Sequence, residues 1–371
     1  MSAFDLSAFF DQGVTDIVGR ATKFYARSPR GLRFAGRTAL SFASADKRRR
    51  HLAQDEGIEV PVFLIASISS TCNLTCTGCY AHANKTIGEN ARSIELADEQ
   101  WQEVFQEAHD IGISFILLAG GEPTMRAEVV RGAAKVKDII FPVFTNGTTM
   151  DDEWIAFFDE NRNMVPVFSV EGSDELTDAR RGAGVAERVA HAMEHSTAKG
   201  ILWGVSITAT TDNLDEVTSD EFVGELHRRG CGLIIYNEYV PFDHQTAHLA
   251  LKMADHDQLM DRVDAITSKD SFGDMIAIAF PGSEEDMGGC LAAGRGFFHV
   301  SQAGNAEPCP FSPISVANVA EAGLKGALAS PFFERVRAIE EAHADERMGG
   351  CTLFAHQREV RAAQAMSLSE D

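Results

Sequence analysis

Three cysteines fall within one short run, Thr71-Cys-Asn-Leu-Thr-Cys-Thr-Gly-Cys-Tyr80, as Cys72, Cys76 and Cys79. The C-x3-C-x2-C spacing gathers three thiolates around one face of a cubic iron–sulfur cluster. The fourth iron then keeps an open position, where it can bind a small molecule and pass it an electron. A structural zinc site usually wants four closed N/S ligands, often as paired C-x2-C knuckles. This loop offers one such pair plus an extra cysteine. Cys290, Cys309 and Cys351 lie far downstream, and their long spacing is less specific: inert core thiols or a zinc site are the plain alternatives. Cys231 precedes an apolar run and is expected to be a buried structural thiol.

The elements that must position these groups are legible in the hydrophobic pattern. The cysteine loop follows Val62-Phe-Leu-Ile-Ala-Ser-Ile68, a buried strand by its apolar run. A second strand, Phe115-Ile-Leu-Leu118, leads at once into Ala119-Gly-Gly-Glu-Pro123. Further β-rich runs occur at 139–144, 165–170, 202–208 and 233–239, separated by helix-like segments at 99–111, 125–136, 151–161, 185–199 and 220–229. Strand–helix alternation of this kind implies a parallel sheet with right-handed crossovers. In such folds the chemistry gathers at the carboxyl ends of the strands, where the cysteine loop and the Gly-Gly-Glu-Pro segment both fall. Beyond Tyr239 the pattern changes to a loop, a helix at 255–268, a short strand at 276–280, a hairpin (297–300 with 306–309) and a helix at 330–342.

The paired motifs resemble the radical S-adenosylmethionine (radical SAM) superfamily. That resemblance implies an α/β fold, a partial (β/α)6 parallel barrel, open and TIM-like, with N-terminal helices and a small C-terminal α+β iron–sulfur extension. It implies that Cys72, Cys76 and Cys79 hold a 4Fe–4S cluster and that S-adenosylmethionine binds its open iron. Gly120, Gly121 and Glu122 would then meet the amino group of the methionine moiety. Asn146 closes the third strand, and Phe168-Ser-Val-Glu-Gly172 followed by Asp178-Ala-Arg-Arg181 closes the fourth. The latter is similar to a Ser-x-Asp/Glu-Gly…Asp-x-x-Arg pattern in sulfatase-maturing and peptide-modifying members, which implies that Ser169 and Arg181 contact the ribose and carboxylate. Many members carry an aromatic residue just before the third cysteine; here that position is Gly78, and the aromatic residue is Tyr80. The contexts of Cys290, Cys309 and Cys351 resemble a shortened SPASM or twitch extension, which implies one auxiliary 4Fe–4S cluster. With only three cysteines there, His299 or a carboxylate is the candidate for a fourth ligand.

Size and composition bound the rest. The 371 residues divide into an N-terminal helical segment (1–58), a core barrel (59–273) and an auxiliary-cluster region (274–371). Residues Phe4, Leu6, Phe9, Phe10, Val14, Ile17 and Val18 recur at helical intervals, as in an amphipathic helix packed on the main body. A formal charge of −22 argues against nucleic acid, which needs concentrated Lys and Arg. The one basic run, Lys47-Arg-Arg-Arg50, reads as a solvated helix face. No apolar stretch approaches a membrane span and no signal peptide is evident, so a cytoplasmic location is expected. The functional expectation is an enzyme that cleaves S-adenosylmethionine reductively and abstracts hydrogen from a peptide or small molecule. The auxiliary cluster would serve as electron acceptor or substrate anchor, and a flavodoxin or ferredoxin would supply electrons. The alternative from another class is a non-enzymatic iron–sulfur electron carrier or redox sensor.

Overall fold

Alternation along each strand sorts its side chains onto two faces, one toward helices and one toward a central bore. In β1 (Phe63–Ser69) Leu64, Ala66 and Ile68 are fully buried under helices, while Phe63 and Ile65 line the bore. The same rule orders β2 (Phe115–Gly120), β3 (Phe141–Thr145), β4 (Met164–Val170), β5 (Gly204–Ala209) and β6 (Leu233–Glu238). The computed structural model describes residues 19–26, 28–242, 246–268, 272, 275–280, 289–343 and 351–370. The expected amphipathic segment from Phe4 to Val18 lies outside the described residues.

All six strands pair in parallel and in chain order, as the alternation requires. The parallel arrangement extends further than the six expected units. Strand β7 (Ile276–Phe280) adds beside β6, and β8 (Phe297–Val300) returns to pair in parallel with β1. The expected hairpin is present: β9 (Asn305–Glu307) runs antiparallel to β8, with Val300 opposite Ala306, and β10 (Ala317–Asn318) follows it. Among the described residues the sheet thus begins at β10 and ends at β7, and no ladder joins β7 to β8. Rings bridge that seam instead: Phe280 and Phe297 meet edge to face with centroids 5.1 Å apart.

The floor of the bore is closed by the helix Pro29–Glu56. Ser28 caps its start by accepting from the Gly31 amide, and Gly57 ends it in a left-handed conformation. Its Phe42 ring packs on Phe115, which stacks on Phe63. In the basic run Arg48 reaches Ser44 and Arg50 pairs with Asp46, both on the helix surface. Arg49 turns inward instead and donates to the Gly112 carbonyl and the Ser114 hydroxyl, pinning the helix to the start of β2. No described helix is long and apolar enough to cross a membrane.

Candidate active site

A cavity of about 860 Å3 runs along the bore. Its lower wall is apolar, built from Phe63, Phe115, Val165 and Leu233, and its upper wall is polar, with Ser169, Ser206, Thr208 and Asn237. Cys72, Cys76 and Cys79 line the upper end, half-buried and outside any disulfide. Burial pushes the Cys72 thiol up to about 11. Burial also raises Cys76, but the guanidinium groups of Arg181 and Arg180 pull the other way and favour its thiolate.

The loop that carries these thiols is tied down on three sides. Gly121 and Glu122 donate their amides to the carbonyls of Ser69 and Thr71, 2.6 and 2.8 Å away. A Cβ on Gly120 would lie 2.6 Å from the Ser69 oxygen, and one on Gly121 would lie 2.3 Å from the Thr71 oxygen. The space that these glycines leave is therefore filled by the base of the cysteine loop. On the second side, Asn146 donates its side-chain amide to Asn73, beside Cys72. On the third, the Thr77 amide donates to the Arg180 carbonyl. Gly78, at φ +68°, abuts the ring of Tyr239, where a Cβ would come within 2.8 Å.

Glu122 lines the cavity, yet its carboxylate is spoken for. Oε1 accepts from the hydroxyls of Thr124 and Thr145, and Oε2 accepts from the Asn146 amide at 2.7 Å. It is buried, and desolvation raises its pKa against those hydrogen bonds. The polar group on the fourth strand is organised around Glu171, only 2% exposed. Its Oε1 pairs with both Arg180 and Arg181, and its Oε2 accepts from the Thr208 amide at 3.2 Å. Arg180 also donates to the Thr208 hydroxyl. Burial opposes the charge on Arg181, but Glu171 and then Cys76 outweigh it and the pKa rises. Sequence reasoning passed over Arg180 in this web; the Arg-Arg doublet closing the helix Asp174–Arg181 was the available signal. Asp178 does not pair with Arg181. Its carboxylate accepts from the amides of Gly184 and Ala186, starting the next helix.

Ser169, Asn146, Gly120, Gly121, Glu122, Arg181 and Tyr80 all line the one cavity with the three cysteines. Strand parity resolves the sixth strand: Asn237 and Tyr239 face the cavity, with Asn237 donating to the Ser206 hydroxyl. Tyr236 faces the helix layer, where its hydroxyl donates to the Val217 carbonyl. The Glu238 side chain is paired there with His256.

The downstream cysteines are buried and lie beyond the cavity wall. The Ala293 amide donates to the Pro308 carbonyl, which brings the Cys290 and Cys309 segments together. Leu291, Pro310 and Phe311, next to those cysteines in sequence, line the same cavity as the first loop. Cys351 starts a short helix, Thr352–Ala355, and Phe354 of that helix packs on Phe242, which packs on Phe311. Phe311 in turn meets Tyr80 edge to face, and Asn84 donates to the Pro310 carbonyl. His299 does not serve as expected. Both its nitrogens are engaged, Nδ1 with Glu307 and Nε2 with the Ser67 hydroxyl, in a buried chain that holds β8 to β1 and β9. Cys231 is buried below the sheet, and desolvation pushes its thiol up to about 12.

The donor set fits the iron–sulfur reading: three thiols on one short loop, at the mouth of a cavity with cations and hydrogen-bonding groups on the facing strands. Comparison with known proteins agrees. Residues 66–223 match the radical SAM superfamily. The chain is 24% identical over 325 residues to mycofactocin maturase MftC of Mycolicibacterium smegmatis, covering 80% of this chain and 79% of that protein. It is 29% identical over 170 residues to Fe-coproporphyrin III synthase of Methanosarcina barkeri, covering 45% and 41%. Among solved structures, Streptococcus suis SuiB bound to S-adenosylmethionine superposes with a TM-score of 0.63 at 16% identity, over 79% of this chain and 72% of that one. The enzyme anSMEcpe with bound AdoMet and the Cp18Cys peptide gives 0.58 at 17% identity, over 82% and 99%. Residues 66–223 therefore match the radical SAM superfamily, and the chain shares the mostly parallel α/β fold of these solved structures.

Proposed function

We propose that this enzyme abstracts hydrogen from a peptide substrate, with Cys72, Cys76 and Cys79 holding the cluster that binds S-adenosylmethionine. Cys290, Cys309 and Cys351 hold an auxiliary 4Fe–4S cluster that accepts an electron or anchors the substrate. The observation that carries this reading is the single cavity walled at once by the first cysteine loop and by Leu291, Pro310 and Phe311 beside the second set. A substrate there lies between the two cysteine groups. The bound cluster and cosubstrate supply a 5′-deoxyadenosyl radical, and the protein supplies aim and dryness. Arg181 and Arg180 give the cation that a carboxylate needs. Ser169, Ser206, Thr208 and Asn237 offer hydroxyl and amide partners for sugar and backbone groups. The apolar lower bore excludes water from the reacting centre.

The peptide class is favoured by what the similar proteins are named for: MftC is a maturase, SuiB has been seen with its precursor peptide SuiA, and anSMEcpe with a peptide. A flavodoxin or ferredoxin would supply the electron. Anaerobic reconstitution tests the scheme. Wild type should take up about eight irons, and Cys290→Ala and Cys72→Ala about four each. Wild type and Cys290→Ala should release 5′-deoxyadenosine under reducing conditions, and Cys72→Ala should not. A brown protein that never releases it is an electron carrier, and the proposal is then wrong.

A further inference from the structure

Away from the cavity, His343, His356 and Glu359 bring three metal-ligating atoms within 4.8 Å of one another, the one such group among the described residues. His343 ends the helix Pro331–Ala342, and His356 and Glu359 open the helix Gln357–Leu368. The Glu359 carboxylate reaches both rings, Oε2 at 3.2 Å from His343 Nε2 and Oε1 at 3.1 Å from His356 Nδ1. The imidazoles stack with centroids 3.7 Å apart and planes 18° from parallel.

We infer that His343, His356 and Glu359 form a binding site for a divalent transition cation of the zinc class, separate from both cysteine groups. Four considerations support it. The donor set, two imidazoles and a carboxylate with room for water, is a zinc-class set. Tetrahedral ligands at about 2.0–2.1 Å from zinc stand roughly 3.3 Å apart, close to the nitrogen–oxygen separations seen here. Two protonated rings stacked at 3.7 Å would repel each other, whereas a cation binds both as neutral lone-pair donors. The side chains are 23%, 14% and 49% exposed, so a cation can enter from solvent, and a chain of charge −22 concentrates cations around it. Bound there, the cation would clamp the two helices on either side of the segment that carries Cys351.

The test uses the anaerobically purified, cluster-loaded enzyme, dialysed against micromolar free zinc. Elemental analysis should find one retained zinc per chain, and X-ray absorption at the zinc edge should show nitrogen and oxygen neighbours at about 2.0–2.1 Å with no sulfur. His356→Gln and Glu359→Gln should each lose at least tenfold in zinc affinity while iron and sulfide counts stay at the wild-type level. An unchanged circular dichroism spectrum would confirm that each variant folds. Should His356→Gln not fold, the solvent-facing Glu359→Gln decides alone. Absence of retained zinc in wild type, sulfur in its coordination shell, or full retention by a folded variant overturns the inference.

Discussion

Replacing Gly121 by alanine tests how the strand-end glycines work. The new Cβ would sit 2.3 Å from the Thr71 carbonyl oxygen and 2.6 Å from its carbon. Ordinary contact begins near 3.4 Å, so the Thr71 backbone must retreat by about 1 Å. Both obstructing atoms are backbone, and no rotamer change relieves the clash. Retreat stretches the hydrogen bonds from Gly121 to Ser69 and from Glu122 to Thr71, and displaces the peptide that leads into Cys72. Overpacking of this kind costs about 1–3 kcal/mol. The expected phenotype is a lower urea midpoint and loss of iron from the first cysteine loop, with the second group still loaded. Iron and sulfide counts after anaerobic reconstitution, paired with urea titration, read both effects. Gly36→Ala is the control: it sits on an exposed helix face with nothing within 4 Å, and should be neutral or stabilising by about 0.5–1 kcal/mol. If Gly121→Ala loads fully and unfolds at the wild-type midpoint, the glycines do not act by making room for the cysteine loop.

Three other substitutions probe the surroundings. Glu171→Gln should remove the counter-charge of Arg180 and Arg181 and cost about 3 kcal/mol, the low end for a broken buried pair because both guanidinium groups retain some water contact. Urea denaturation measures it, and a loss below about 0.5 kcal/mol would show the web to be electrostatically idle. Asp178 has a depressed folded-state pKa, owing to the Ala186 and Gly184 amides that it accepts from. Its contribution is present above the unfolded carboxylate value near 3.9 and is lost as pH falls through the lower folded value. The midpoint gap between cluster-free wild type and Asp178→Ala should therefore be full at pH 6 and shrink below about pH 4; a gap that grows in acid would contradict the assignment. Phe42→Ala should open the floor of the bore and destabilise by about 3 kcal/mol, with a probe such as ANS gaining fluorescence in the native state if the cavity becomes accessible from below.

Much of the frame can be read directly from residue order. Six strand runs and their helices announce themselves by apolar runs and turn residues, because each is a local pattern. The cysteine loop and Gly-Gly-Glu-Pro likewise sit where local alternation places strand ends. What escaped were contacts whose cause is tertiary. Nothing in Phe297–Val300 says that it will pair with β1, more than 200 residues earlier, and extend the parallel array past six. The sequence does not reveal that the Ser69 and Thr71 backbone lies directly behind Gly120 and Gly121. His299 looked available until Ser67 and Glu307 were placed at its two nitrogens.

The seam between β7 and β8 bears on what can reach the reacting centre. A closed cylinder admits only molecules narrow enough to enter by its rim. Here one side of the wall is held by a contact between two phenyl groups in place of a hydrogen-bonded ladder. Rotating a ring about χ1 costs far less than unzipping strands, so this side of the wall can yield by side-chain motion where the hydrogen-bonded sides cannot.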